Sequence, residues 1–297
     1  VSIGDYSLFL RAYDASPRTS PSQPVVIIEA GLGGTSAEWV AAARLISQYA
    51  PVYTYDRAGY GKSKAKDSAP LPASAQPLTA TKRCEDLTKL LDVGGIAPPW
   101  ILVGHSYGGV LVREFLAMHG KEKVVGLVII DSAIERTKLP DSWPALLGDA
   151  SYMEVVGLEK NRVLTDEEWA TLKANDQGNE QSVELEEAGM KESTDKVNKK
   201  VKGKQLLGDG RLSVIFANES VDLSKVYEWG IKNGSGTPEA REALRKRLED
   251  MAEVDEQGQR AHLSLSSQSR FVYAEGEART HNLQIVKPQL IADEARW

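Results

Sequence analysis

The chain has 297 residues, with 36 Lys+Arg against 42 Asp+Glu and a formal charge of −6. At 41% hydrophobic and 26% charged residues, it has the composition of a globular protein long enough to bury a full core. The acidic balance argues against charge-driven nucleic-acid binding, and the longest apolar run, 124–130, falls far short of the roughly 20 residues of a membrane-spanning helix.

Residues 6–13 alternate like a strand, 17–24 are a Pro/Ser turn, and 25–29 are a short β-branched run. A glycine loop, Gly31-Leu32-Gly33-Gly34, follows, and then a helix with Thr35 or Ser36 as N-cap and Trp39, Val40, Ala43 and Ile46 on one face. The strand 52–55 ends in the glycine turn Asp56-Arg57-Ala58-Gly59-Tyr60-Gly61. Residues 64–77 read as a loop and 78–91 as an amphipathic helix carrying Cys84. The strand 100–103 breaks at Gly104, 110–119 is helical, and 124–130 is again a strand. Short apolar strands separated by helices predict a parallel sheet covered on both faces.

After Asp131 the pattern changes. Residues 134–205 are charged and helical, with Thr165-Asp166-Glu167-Glu168 as a capping-box start. They read as an insertion, and as a lid in particular, because they leave the sheet at a strand's C-terminal end, where α/β proteins bind ligands. Strands return at 212–217 and 270–274, with a long helix over 237–265 between them and a last helix from Pro288. The expected organisation is a first core part at 1–133, a helical cap at 134–205 and a second core part at 206–297. Trp143, Tyr152, Met153, Trp169 and Met190 of the insertion read as core rather than pocket lining, the usual place of such side chains. A single cysteine excludes an intrachain disulfide and fits a reduced compartment or an outside environment where none is needed; a soluble protein is the expectation, and its localisation stays open with the cytoplasm favoured. The chain begins at Val1 without Met, so removal of a leader stays open.

The strongest chemical signal is Gly104-His105-Ser106-Tyr107-Gly108, which fits G-x-S-x-G. The bare pattern arises by chance. Here a strand precedes it, a helix follows, and Gly109 extends it. A sharp strand-to-helix turn would expose the Ser106 hydroxyl, and its close neighbours must lack a Cβ. A serine needs a base. His105 flanks the serine and should point elsewhere, His119 ends a helix, and His262 reads as a surface or packing residue. His281 follows the last strand and is the candidate base. Three carboxylates compete to orient it: Asp131 at the end of 124–130, and Glu219 and Asp222 after 212–217. Asp131 is preferred for its short side chain and strand-end position, with Glu219 as the alternative acid. The amides of Tyr107 and Leu32 are the candidate oxyanion donors. No Cys or His pair has zinc spacing, and the glycine loop lacks phosphate-cradle spacing, so neither metal nor cofactor is expected.

Taken together, Glu29-Ala30-Gly31-Leu32-Gly33-Gly34, Tyr55 to Gly61, Gly104 to Gly109, Val128-Ile129-Ile130-Asp131 and His281 with Pro288 resemble the α/β-hydrolase superfamily over nearly the whole chain, apart from the insertion and parts of the long helix. The resemblance is closest to serine esterases with a helical lid. It implies an α/β fold with a mostly parallel sheet flanked by helices, a helical cap inserted after the sixth strand, a serine triad and no cofactor. It also implies a small-molecule substrate rather than a long acyl chain. This sequence departs from the family in carrying Arg279-Thr280 before the histidine, where Ser-Gly or Gly is frequent, and in lacking an evident acid after the penultimate strand. Ser106, where some relatives carry Asp, argues against epoxide hydrolysis and dehalogenation. The expected activity is cleavage of an ester, thioester or lactone through an acyl-enzyme. A non-hydrolytic use of the same residues (cyclisation, isomerisation, lyase chemistry or acyl transfer) is the alternative, and non-catalytic ligand binding is a further one. Oligomeric state is not legible.

Overall fold

Seven runs rich in apolar and β-branched residues form one sheet: β1 (Leu10–Tyr13), β2 (Val25–Glu29), β3 (Val52–Tyr55), β4 (Trp100–His105), β5 (Val124–Ile130), β6 (Gly208–Phe216) and β7 (Ser266–Tyr273). The computed structural model describes residues 1–13, 17–63, 71–134 and 138–297; the expected loop 64–77 therefore lies partly outside the described residues. The strand order is β1-β3-β2-β4-β5-β6-β7. Only β1 runs antiparallel to its neighbour; the other pairings are parallel. Central strands buried on both faces favour apolar side chains, as at the buried positions Val25 to Ile28, and the buried Glu29 that ends the strand is paired with Arg57.

The helices are α1 (Val40–Ile46), α2 (Ala80–Val93), α3 (Tyr107–His119), α4 (Tyr152–Val155), α5 (Leu158–Asn161), α6 (Asp166–Asp176), α7 (Glu180–Val201), α8 (Ser220–Asn233), α9 (Pro238–Leu248), α10 (Met251–Arg260), α11 (Leu283–Val286) and α12 (Pro288–Arg296). Their starts follow local chemistry. Thr79, Thr165 and Thr237 each accept a hydrogen bond from the third residue of the helix that follows. One sheet face packs on α2, α3 and the end of α7 through Leu87, Leu91, Phe115 and Val201. The other packs on α1 and α12 through Ala42, Ile46, Ile291 and Ala295.

Beyond shifts of a few residues at element ends, two features of the organisation differ from the sequence reading. The inserted helices leave after the fifth strand in chain order, not the sixth, because the segment before β1 forms only the bridge Ser2↔Ser7 and no further strand. The expected single helix over 237–265 is broken: α9 ends at Leu248, α10 restarts at Met251, and 261–265 tighten into a 3-10 turn. An unbroken apolar stripe does not require an unbroken helix, because either side of a bend can face the same core. The inserted helices also share cores with the rest of the chain. Leu158, Trp169 and Leu172 pack with Leu223, Val226 and Leu244 of α8 and α9, whereas Val197 and Val201 of α7 join the sheet core. Trp143, Tyr152 and Met153 pack against the former cluster and Met190 against the latter. Among the described residues, no helix is long and apolar enough to cross a membrane.

β2 lies between β3 and β4, so the chain leaves the sheet's centre in opposite directions after β2 and β4. The loops that follow these two strands therefore meet at the C-terminal edge, where open α/β sheets bind ligands. They are the glycine loop and the turn at Ser106.

Candidate functional site

Three non-glycine residues among those described have positive φ: Ser106 (φ 52°), Asp131 (φ 45°) and Asn218 (φ 63°). They stand just past β4, β5 and β6, side by side on the same sheet edge. L-residues occupy this region at a cost, so three adjacent instances mark a place where backbone strain is retained.

At the first of them, β4 turns directly into α3, with Ser106 at φ 52° and ψ −122°. The turn is possible because its neighbours have no side chain. A Cβ on Gly108 would sit 2.4 Å from the Glu29 carbonyl oxygen, and one on Gly104 would sit 2.6 Å from the Gly108 oxygen. A Cβ on Gly109 would meet the Ser132 hydroxyl at 2.3 Å. Ser106 N donates to Ile130 O at 2.9 Å, tying the turn to the end of β5. The glycine loop lies against it: a Cβ on Gly31 would be 3.2 Å from Ser106 Cβ.

Asp131 is buried, and both its oxygens are used. Oδ2 accepts from His281 Nδ1 at 2.8 Å. Oδ1 accepts from the amides of Ala217 and Asn218, each at 3.1 Å, and from Gln259 Nε2 at 3.0 Å. Burial pushes this carboxyl up, but the hydrogen bond and charge of His281, with Gln259 and His105, bring it down to about 2. Asp131 is thus an anion at any ordinary pH. An imidazole held at Nδ1 by a fixed carboxylate can take a proton at Nε2, and the resulting cation is stabilised by the same partner.

The competing carboxylates stand at the start of α8. Glu219 is the N-cap residue of α8. Asp222 lies in the first turn of α8, fully buried, and its Oδ2 accepts from Thr280 Oγ1 at 2.7 Å and from the His281 backbone N at 2.9 Å. It therefore grips the loop that carries the imidazole. His105 also departs from expectation. Its ring does not turn away: it packs on the His281 ring with centroids 4.6 Å apart, and Nε2 donates to His281 O at 2.7 Å. His119 is held at a helix end by Thr88 Oγ1 at 2.8 Å. His262 is not on the surface. It is fully buried, with Nε2 donating to Ser132 O at 2.7 Å.

The candidate oxyanion donors also fall at this edge. Tyr107 is the first residue of α3, and Leu32 lies in the glycine loop beside Ser106. Under that loop, Arg57 at the end of β3 donates through Nη1 to Ala30 O at 2.7 Å and through Nη2 to Gly31 O. Arg57 is itself paired with Glu29 at 2.7 Å and with Glu186 of α7 at 3.1 Å. Burial works against ionisation of Glu186, yet Arg57, Arg83 and the Tyr60 hydroxyl hold its carboxyl below the usual range. Asp56 joins the same corner by accepting from Ser36 N at 2.7 Å and Lys62 N at 2.9 Å. Beside Leu32 a cleft of about 480 Å³ opens between the glycine loop and the start of α7, lined by Glu38, Asp176, Asn179 and Val183 among others. Among the described residues, no cluster of three or more His, Cys, Asp or Glu is placed to hold a metal ion.

Of these features, Gln259, Glu186 and the grip of Asp222 are not legible in the sequence. Each acts on a partner more than fifty positions away, and no local spacing announces it. Arg57 stood in the glycine turn after β3, but its role depends on where the next loop folds.

A family model for the alpha/beta hydrolase fold matches residues 24–185. The chain is 31% identical over 297 residues to an "AB hydrolase superfamily protein" of Gibberella zeae, covering 94% of this chain and 87% of that one. It is also 31% identical over 306 residues to "Probable transporter efuK" of Hormonema carpetanum, covering all of this chain and only 42% of that longer relative. Among solved structures, the thioesterase domain from the curacin biosynthetic pathway superposes with a TM-score of 0.61 at 14% identity, covering 100% of this chain and 98% of that one. The esterase RhEst1 from Rhodococcus sp. ECU1013 gives 0.57 at 15% identity, covering 98% and 94%. The chain belongs to the α/β-hydrolase fold family, and its mostly parallel sheet with flanking helices is that fold.

Proposed function

We propose that this chain is a serine hydrolase that cleaves an ester, thioester or lactone bond of a small molecule. The observation that carries the reading is the 2.8 Å hydrogen bond from His281 Nδ1 to Asp131 Oδ2, on a loop whose backbone is tied to the residue preceding a strained, glycine-flanked Ser106. In this reading Ser106 attacks the carbonyl carbon while His281 Nε2 takes its proton. Asp131 fixes the tautomer and offsets the imidazolium charge. The Leu32 and Tyr107 amides receive the carbonyl oxygen as it becomes an oxyanion. His281 then returns the proton to the leaving alcohol or thiol, and water releases the acyl group by the same steps in reverse. The cleft beside Leu32, at about 480 Å³, is within the range that accommodates a small-molecule substrate. The inserted helices that wall it, with α7 foremost, serve as the lid.

The test is the intact mass of the protein after incubation with a fluorophosphonate. The wild type is expected to gain one adduct. Ser106→Ala and His281→Ala are expected to gain none under the same conditions. An unlabelled, fully folded wild type would remove the activated serine from the account.

A further inference from the structure

The peptide between Gly31 and Leu32 is one rigid trans plane, with the Gly31 carbonyl at one end and the Leu32 N–H, antiparallel to it, at the other. Whatever holds the carbonyl therefore aims the N–H. Arg57 Nη2 donates to that carbonyl and Nη1 donates to the one before it, Ala30 O. Gly31 O also accepts the longer turn bond from Gly34 N, at 3.2 Å. The guanidinium lies beneath the loop, so the Leu32 N–H points away from it.

Arg57 has no freedom of its own. Glu29 of β2 holds Nη1 at 2.7 Å, and Glu186 of α7 holds Nη2 at 3.1 Å. Glu186 is wholly buried and is fixed in turn by Arg83 Nε at 2.6 Å and the Tyr60 hydroxyl at 2.7 Å. Glu29, Arg57 and Arg83 come from the sheet and α2, whereas Glu186 comes from an inserted helix. A buried carboxylate shared by two arginines in this way depends on the helix being seated. Withdrawing it would leave Arg57 with a single acid and a polar fork free to turn away from the two carbonyls.

We infer that Glu186 and Arg57 are positioning residues for the oxyanion donor, so that the seating of the inserted helix α7 sets the aim of the Leu32 N–H. The inference rests on the proposed role of Leu32. It makes the lid a participant in rate and not only a wall of the pocket. Loss of the Glu186 carboxylate should weaken stabilisation of the tetrahedral state while leaving ground-state binding alone.

The experiment is inactivation kinetics with a small alkyl fluorophosphonate, whose phosphoryl oxygen seeks the same donors, on the wild type, Glu186→Gln, Arg57→Lys and Glu294→Gln. Glu294→Gln neutralises a carboxylate of α12 that binds Ser213 Oγ and Arg270 Nε, outside the Arg57 cluster. The expected result for Glu186→Gln and Arg57→Lys is a limiting inactivation rate lower by about 10-fold or more, with the half-saturating concentration within about twofold and a final stoichiometry of one adduct. Glu294→Gln is expected to keep the wild-type rate. Should Glu186→Gln not fold, Arg57→Lys carries the same comparison. A Glu186→Gln or Arg57→Lys protein that labels fully at the wild-type limiting rate overturns the inference alone. So does an equal slowing in Glu294→Gln, which would mark the effect as a general consequence of disturbing a buried ion pair. A wild type that does not label overturns the proposed function, and this inference with it.

Discussion

Asp222 shows how much of a histidine's position is set behind it. The residue lies in the first turn of α8 and accepts from the backbone N–H of His281. It also takes the Thr280 hydroxyl, and its other oxygen receives Lys225 Nζ at 3.2 Å. Asp222→Asn keeps the shape and removes the charge that organises these donors. We predict that its fluorophosphonate labelling rate falls roughly 10-fold, with a stability loss of about 1–3 kcal/mol read from the urea midpoint. An unchanged labelling rate would limit Asp222 to a purely structural part. The sequence placed Asp131 at a strand end, Ser106 in a glycine-flanked turn and His281 after the last strand, and the fold brings all three to one sheet edge. It could not assign the second carboxylate its place. Three acids lie in equivalent-looking strand-end loops, and only the twist and stagger of β5 and β6 decide which oxygen meets Nδ1.

At the scale of elements, the turn after the glycine loop carries a built-in pH sensitivity. Glu38 accepts from Thr35 N at 3.4 Å, closing the start of the helical turn Ser36–Trp39, and Gln284 of α11 donates to its other oxygen at 3.3 Å. Burial, with the nearby charge of Asp176, pushes this carboxyl up to about 7 from 4.5. The folded chain therefore holds a proton there that the unfolded chain has released. The contribution is fully present below pH 4.5 and is lost as pH rises through about 7. Glu38→Gln is expected to raise the urea midpoint at pH 8 relative to the wild type, and to change it little at pH 5. An equal effect at both values would contradict the assignment. The capping box at Thr165 was readable because it is local. The break between α9 and α10 was not, since Glu249-Asp250 carries no glycine or proline and the bend answers to packing on both sides.

Across the whole molecule, the buried histidine behind the site makes folding acid-sensitive. His262 lies in α10's trailing turn against the end of β5, where burial, and then the charge of Arg113, push its pKa down to about 3 from 6.5. An unfolded chain would bind that proton at any pH below 6.5. The stabilisation is therefore complete above pH 6.5 and declines by about 1.4 kcal/mol per pH unit as pH falls toward 3. His262→Gln, which can still donate to Ser132 O, should flatten the fall of the urea midpoint between pH 6.5 and 4. A slope equal to that of the wild type would refute this origin. The sheet, its helices and the edge at which the loops converge were legible because periodicity and glycine turns are written locally. The shared cores of the inserted helices were not, because they pair residues from segments far apart in the chain. The proposed function is a whole-molecule property: it requires groups from the loops after β4, β5 and β7 to act as a single unit. The most direct measurement is the second-order rate constant for fluorophosphonate labelling of the wild type, Asp131→Asn, His281→Ala and the double variant. Losses of roughly 10³-fold or more are expected in each single variant, with a double variant no slower than His281→Ala alone. Losses that multiply in the double variant would mean that Asp131 and His281 act independently and would refute the proposed unit.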